Sequence, residues 1–404
     1  MGERRRFHCC INFTSEWANP QNRTRKKAFH SLKAKKTGTL KRQKRREMES
    51  EEEDERTESQ KNDTTDLISS LPDCLLTHIL SLLPTRDSVR TSILSSRWSP
   101  LWKLVPVLHL ERLRNQDIVS NIWIHRNAAI SLRKFHLHWT SDCNTSYVNT
   151  MIQDTILRGR KLQELDLDIY THPIPNPPLE LHPSLFFSTT LVVLKLEGDI
   201  LLNPPLDSIF PTLRIMEIKS GITYENCESL PTLLAACPVL QELAITVSDY
   251  NFENTSMLKI IVLIPTLKIL YLCWPMDGWF YPFLLLYTLR LNAPALEHFY
   301  FRGLLSDDVV LESLPNLVKS GFQFGEMVYD LSTRDYAKRI WDFMRPLYNV
   351  VSMEFSIETA QVRLLGTFSL IKLLNTTIVV SVLLLCETCD CYVVTGGADP
   401  LRCF

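Results

Sequence analysis

The chain has 404 residues, 45% of them hydrophobic and 22% charged, with a formal net charge of -1. This composition excludes a disordered or fibrous protein, and the length accommodates two or three domains. The 11 cysteines are scattered without regular spacing, and the basic N-terminus has no apolar leader core, so free thiols in a reducing compartment are expected.

Residues 1–46 hold 15 Lys and Arg, with Glu3 and Glu16 as the only acids. The densest run, Lys41 to Arg46, suits a solvated tail, a nuclear import signal or loose attachment to nucleic acid. From Glu47 to Asp66 the charge reverses, with ten acids against Arg56 and Lys61 and almost nothing apolar to bury. That segment reads as an extended linker. Met48 stands at the switch and offers an alternative start.

Asp66 to Leu110 reads as three short helices. Pro72 suits a first helical position, and Asp73 sits well in the first turn. Leu75, Ile79, Leu82 and Leu83 follow at i, i+4, i+7 and i+8, one apolar helical face. Pro84 closes that helix, Thr85 is placed to cap the next, and Trp98, Leu101, Trp102 and Val105 repeat the spacing in a third. Three short helices cannot bury so many large apolar side chains among themselves, which points to a partner site.

The string LPDCLLTHILSLLP, followed by SVRTSILSSRW and LW, resembles the F-box of plant F-box/leucine-rich-repeat proteins of the F-box/LRR/FBD type, substrate receptors of SCF ubiquitin ligases. The resemblance implies docking on a Skp-type adaptor, and through it on a cullin. By position, the docking residues would be Leu71, Pro72, Leu75, Ile79, Leu82, Pro84, Val89, Leu94, Trp98 and Trp102. Ser96 and Ser99 stand where many relatives carry basic residues, and Pro100 is expected to shorten the third helix.

After this segment, Glu111 to Ile130 has a helical look, with Ile118, Ile122 and Ile130 spaced for a common face. Then L-x-x-L-x-L recurs as LRKFHL, LQELDL, LVVLKL, LRIMEI, LQELAI, LKILYL and LEHFYF, the copies starting 22–30 residues apart between Leu132 and Leu296. LVKSGF, with Ser320 at an apolar position, and VVSMEF are weaker copies. Leucine-rich repeats have periods of about 20–29 residues and supply one strand each to a parallel sheet. The expected fold class is α/β: a small three-helix F-box followed by an irregular leucine-rich-repeat solenoid, a parallel-sheet horseshoe. Asn226 to Cys237 suits a return helix, and Thr171 to Pro183, with five prolines, a loop.

Strand side chains alternate, which assigns Lys134, His136 and His138, then Glu164, Asp166 and Asp168, to the concave face. Tyr271, His298, Tyr300 and Arg302 follow in the late repeats, and their residue types make them the expected target-binding set. Domain boundaries are expected at 1–65, a disordered basic then acidic extension; 66–110, the F-box; 111–363, the solenoid; and 364–404, a divergent or truncated C-terminal segment. Residues 331–363 resemble the region leading into the C-terminal module of the same plant group. The apolar run from Leu364 to Leu385 is broken by Lys372 and Asn375, and strands are preferred there over a membrane helix.

No phosphate-binding glycine motif occurs. Cys386, Cys389 and Cys391 would begin a zinc site but lack a second ligand pair, and His136 and His138 read as surface histidines. No catalytic residue, metal or cofactor is expected. The function expected is target recognition in a cullin-RING ligase, without bond chemistry of its own, in the nucleus and/or cytoplasm. A scaffold without a ligase role and a nuclear nucleic-acid binder acting through the basic arm are the alternatives, with nucleic acid and membrane both weighed against as partners.

Overall fold

A computed structural model describes residues 68, 70–113, 116–127, 129–140, 145–159, 161–170, 178–247, 258–274, 287–312, 314–324, 333–347, 350–358, 379–386 and 389–396. The chain groups into two units, Met1–Pro72 and Asp73–Phe404. The first is represented by Ile68 and Ser70 to Pro72, where the Leu71 N–H donates to the Ile68 carbonyl at 3.1 Å. The basic and acidic extension expected over 1–65, including both possible starts, lies outside the described residues.

In the second unit, the chain begins with helices α1 (Asp73–Leu80) and α2 (Thr85–Arg90) and then turns through 3-10 segments at Thr91–Ile93 and Leu101–Leu104. The expected third α-helix is thus only a short 3-10 turn, and Pro100 sits at its N-cap. The expected extension of α1 to Leu83 also fails. Leu82 and Leu83 donate their N–H groups three residues back, to Ile79 and Leu80, so they lie in a tightened turn beyond the helix end.

Strands β1 (Val107–Leu113), β2 (Lys134–Trp139) and β3 (Glu164–Ile169) follow, interleaved with helices α3 (Gln116–His125) and α4 (Thr145–Gly159). Next come β4 (Leu179–Glu180), β5 (Val193–Gly198), β6 (Ile200–Leu202), β7 (Ile215–Ile218), β8 (Thr223–Tyr224), helix α5 (Ser229–Ala235) and β9 (Glu242–Thr246). The later part holds β10 (Leu258–Leu263), β11 (Ile269–Cys273), β12 (Tyr287–Asn292), β13 (His298–Gly303), β14 (Asp308–Leu311) and β15 (Lys319–Phe324). Helix α6 (Thr333–Met344), β16 (Ser352–Glu358) and the hairpin β17 (Val379–Cys386) and β18 (Cys389–Gly396) complete the order.

Every L-x-x-L-x-L copy supplies one strand of a sheet ordered β1-β2-β3-β5-β7-β9-β11-β13-β15-β16-β17-β18. All its pairings are parallel except β17 with β18. Equivalent positions stay in register. Leu165, Leu194, Met216, Leu243, Leu270 and Phe299 are thus neighbours in one buried row, each at most 1% exposed. Burial of one such side chain contributes roughly 1.5–3 kcal/mol, and only the stack of repeats can supply that burial. Both weak copies form strands, and Ser320 occupies its inward position fully buried.

Three expectations need correction. Val107–Leu113 was expected as the end of the helical segment and the start of a further helix. Its residues alternate apolar and polar, Leu108 and Leu110 are buried, and it forms the first strand of the sheet. The return segments are mostly strands, not helices. They form two further sheets, β4-β6-β8 and β10-β12-β14, in which stretches such as Leu258–Leu263 alternate in burial. Among the return segments, Ser229–Ala235 is helical as expected. Finally, Thr171 to Pro183 is not a loop throughout: residues 171–177 lie outside the described ones, but Leu179 enters β4 fully buried and Pro183 opens a 3-10 turn.

Gly198 makes the step from β5 to β6. Its φ of 92° is in the left-handed region, and a Cβ there would lie 2.0 Å from the Ile169 carbonyl oxygen. At the other end, part of the apolar run from Leu364 forms β17, and no helix among the described residues is long and apolar enough to cross a membrane. Cys74, Cys227 and Cys237 are free thiols.

Candidate functional site

Helix α1 is apolar on two sides. Leu76 and Leu80 are fully buried, whereas Leu75 is 48% and Ile79 41% exposed. Leu75 and Ile79 are one turn apart and share a face. Leu82 and Leu94 are each 62% exposed beyond them. The exposed set is held up by an ordered frame: Trp98 and Leu101 are buried, and the Ser88 hydroxyl donates to the Leu80 carbonyl at 2.8 Å, satisfying one of the last carbonyls of α1. Arg97 reaches Asp73 from Nη2 at 2.7 Å.

Thr85 does not cap α2, which has no side-chain cap. Its buried hydroxyl accepts the His109 N–H at 2.8 Å instead, tying the helices to β1. Replacing that acceptor with an isosteric methyl leaves a buried donor unpaired, at a cost of about 1–3 kcal/mol. Thr85→Val is therefore expected to lower the denaturant midpoint with an unchanged m-value.

The solvent-side face of the main sheet divides into two halves. The early half is a ladder of opposite charges on adjacent strands. Lys134 pairs with Glu164 at 2.6 Å, His136 with Asp166 at 2.7 Å and Lys195 with Glu217 at 2.5 Å, while His138 meets Asp168. Burial opposes the charge on both His136 and Asp166, but their mutual hydrogen bond and attraction outweigh it, raising the histidine pKa and lowering the aspartate pKa. Asp168 is raised, chiefly by burial and by Glu197. The early acids are thus already paired with bases of the same chain.

The late half is mixed, with Lys319 paired to Glu354 at 3.5 Å beside an aromatic pair. Tyr271 and Tyr300 oppose each other on β11 and β13 and stack with ring centroids 4.7 Å apart and planes at 6°. Ala244 flanks the pair in register on one side and Gly321 on the other. A Cβ on Gly321 would approach Tyr300 Cδ1 to 2.8 Å, so the glycine is what admits the ring. Burial pushes the Tyr300 hydroxyl up to about 12, with smaller contributions from Tyr271 and Glu354. It therefore stays a hydrogen-bond donor at neutral pH.

Two family models match the sequence of these regions. Residues 68–110 match the family model "F-box domain", and residues 152–308 match the model "FBD-associated F-box protein At5g56370, LRR repeats". Over these two segments the chain resembles F-box proteins with leucine-rich repeats. Curated relatives from Arabidopsis thaliana agree. "Putative F-box/LRR-repeat protein At4g15060" is 33% identical over 47% of this chain and 46% of its own length. "FBD-associated F-box protein At5g56370" is 30% identical over 66% of this chain and 61% of its own length. "FBD-associated F-box protein At5g60610" is 36% identical over 52% and 53%. The chain thus spans about half to three-fifths of the length of these relatives.

Within the F-box, the ten residues assigned by resemblance divide by burial. Leu75, Ile79, Leu82 and Leu94 are exposed; Pro84, Val89 and Trp102 are half-buried; Leu71 is half-buried and Pro72 exposed in the first unit. Trp98 is only 6% exposed, so its contribution is to the F-box core and not to an outer surface. The exposed Ile93, at 87%, was not foreseen: it closes the 3-10 turn after α2, and helical periodicity carries no signal for it. On the repeats, Tyr271, His298 and Arg302 are half-exposed as expected, but Tyr300 is 6% exposed because Tyr271 and Gly321 enclose it. A substituent entering here meets the edge of a preformed stack, with His298 and Arg302 two residues to either side on the same face of β13.

Proposed function

We propose that this chain is the target-recognition subunit of an SCF-type, cullin-RING ubiquitin ligase. The F-box docks on a Skp-type adaptor and through it on a cullin, and the repeats hold a target protein. The observation that carries this reading is the double-sided α1. Leu76 and Leu80 secure the helix, and Leu75 and Ile79 remain 48% and 41% exposed on its other face. Such side chains are costly to leave in water at about 25 cal/mol per Å² of apolar surface, and a partner groove removes that cost. The chain performs no bond chemistry in this role; it raises the effective concentration of a target beside a ubiquitin-charged enzyme. Its working compartment is the nucleus and/or the cytoplasm.

Tyr271 and Arg302 are the residues proposed for direct target contact, with the buried Tyr300 stacked against Tyr271 to hold it rigid, aromatic and guanidinium groups being of the kind that dominate interface energies. Alanine at Tyr271, Tyr300 and Arg302 together should lose the target from affinity purifications while retaining the adaptor. Retention of the same co-purifying proteins by the triple variant would sink the target assignment, and absence of the adaptor from the wild-type complex would sink the ligase role.

A further inference from the structure

The first two strands bring together two imidazoles and a carboxylate that sequence periodicity did not associate. His109 and Glu111 are two residues apart on β1, and His136 lies opposite His109 in the parallel register with β2. Their donor atoms all fall within 4.8 Å of one another. A register shift lies between Leu110 and Leu113, the stretch that holds Glu111, and a bulge of this kind re-aims a side chain.

On the following strands most facing pairs set a base against an acid, Lys134 against Glu164, His138 against Asp168 and Lys195 against Glu217, although Asp168 also faces Glu197 across β3 and β5. Between β1 and β2 the register sets imidazole against imidazole, with ring centroids 4.3 Å apart at 78°. Two cations directly opposite on neighbouring strands are destabilising, so an ion-pair ladder does not explain this step. His109 Nε2 is 2.8 Å from Glu111 Oε1, yet it is buried and has no hydrogen bond of acceptable geometry. His136 engages Asp166 Oδ2 through Nδ1 at 2.7 Å, which leaves Nε2 as its available donor. An imidazole held through one nitrogen by a carboxylate while the other nitrogen binds is the recurrent arrangement around protein-bound zinc.

We propose that His109, Glu111 and His136 bind one divalent transition-metal ion of the zinc class, with Asp166 as the outer carboxylate that orients His136. Two nitrogens and one carboxylate oxygen are an established zinc donor set that leaves a fourth position open. Bonds of about 2.0–2.2 Å hold tetrahedral ligand atoms about 3.3–3.6 Å apart, so the three side chains close by roughly an ångström through rotation about their χ angles. Because the His109 N–H is also the donor to Thr85, a bound ion braces the first repeat at the point where the F-box helices attach.

The test is a Co²⁺ titration of the full chain, freed of metal by chelation, read in the visible ligand-field bands and by Zn²⁺ competition. Wild type is expected to bind one equivalent with a nitrogen/oxygen spectrum, distinguishable from any cysteine binding by the absence of thiolate charge-transfer bands. His109→Gln and His136→Gln should each remove that equivalent with unchanged far-ultraviolet circular dichroism. Asp166→Asn should weaken it about 10–100-fold, as outer-carboxylate changes do, and His138→Gln, on the same face, should leave it intact. Absence of the nitrogen/oxygen bands in wild type, or their survival in both His109→Gln and His136→Gln, would overturn the proposal.

Discussion

Leu243→Asp is expected to unfold the middle of the repeat stack. Leu243 is fully buried on β9 and lies in register between Met216 on β7 and Leu270 on β11. Truncating a buried leucine to alanine already costs about 2–5 kcal/mol. An aspartate adds the cost of a carboxylate with no partner in an apolar row, which the protein can reduce only by protonating it or by opening the sheet. Because a repeat contacts chiefly its neighbours, damage should begin at β7, β9 and β11 before the rest of the array follows. Hydrogen exchange by mass spectrometry should show faster exchange over residues 215–273 first, together with a lowered melting temperature. A variant that melts with wild type and keeps its protection there would mean that the inward and outward faces of the sheet are assigned the wrong way round.

The strands were legible because their signal is short-range. Alternation with period two survives even in LVKSGF, where the inward serine Ser320 is weakly apolar at best, since Phe322 and Phe324 carry the same face. What was not legible depends on residues far away in sequence. Tyr300 reads as an exposed strand residue until Tyr271 and Gly321, on the two neighbouring strands, enclose it. Return strands such as Leu258–Leu263 are brief apolar runs, and periodicity alone does not separate these from helical turns. The same ambiguity hid β1. Reading Leu110 as the end of one module and Glu111 as the start of a helix separated His109 from His136, although the sheet sets them side by side.

The F-box presents the reverse case. Its motif was legible as a whole, but the role of each apolar residue was not. The spacing of Leu75, Ile79, Leu82 and Leu83 suggested a single helical face, whereas the helix ends at Leu80 and buries Leu76 and Leu80 instead. Trp98 looked like a docking residue and is part of the core. A motif preserves positions for two separate reasons, folding and contact, and only burial divides them.

That division yields the most direct test of the proposed role. Leu75→Asp/Ile79→Asp alters only side chains on the exposed face of α1, whereas Leu76→Asp strikes the buried one. If the exposed face seats in an adaptor groove, each aliphatic contact is worth about 2 kcal/mol or more on truncation. Two together then weaken binding roughly 1,000-fold, at about 1.4 kcal/mol per tenfold. Calorimetric titration of a purified Skp-type adaptor into the full chain should therefore give binding with wild type and none measurable with Leu75→Asp/Ile79→Asp, while the double variant keeps the wild-type melting curve. Adaptor affinity unchanged in that folded double variant would contradict the account.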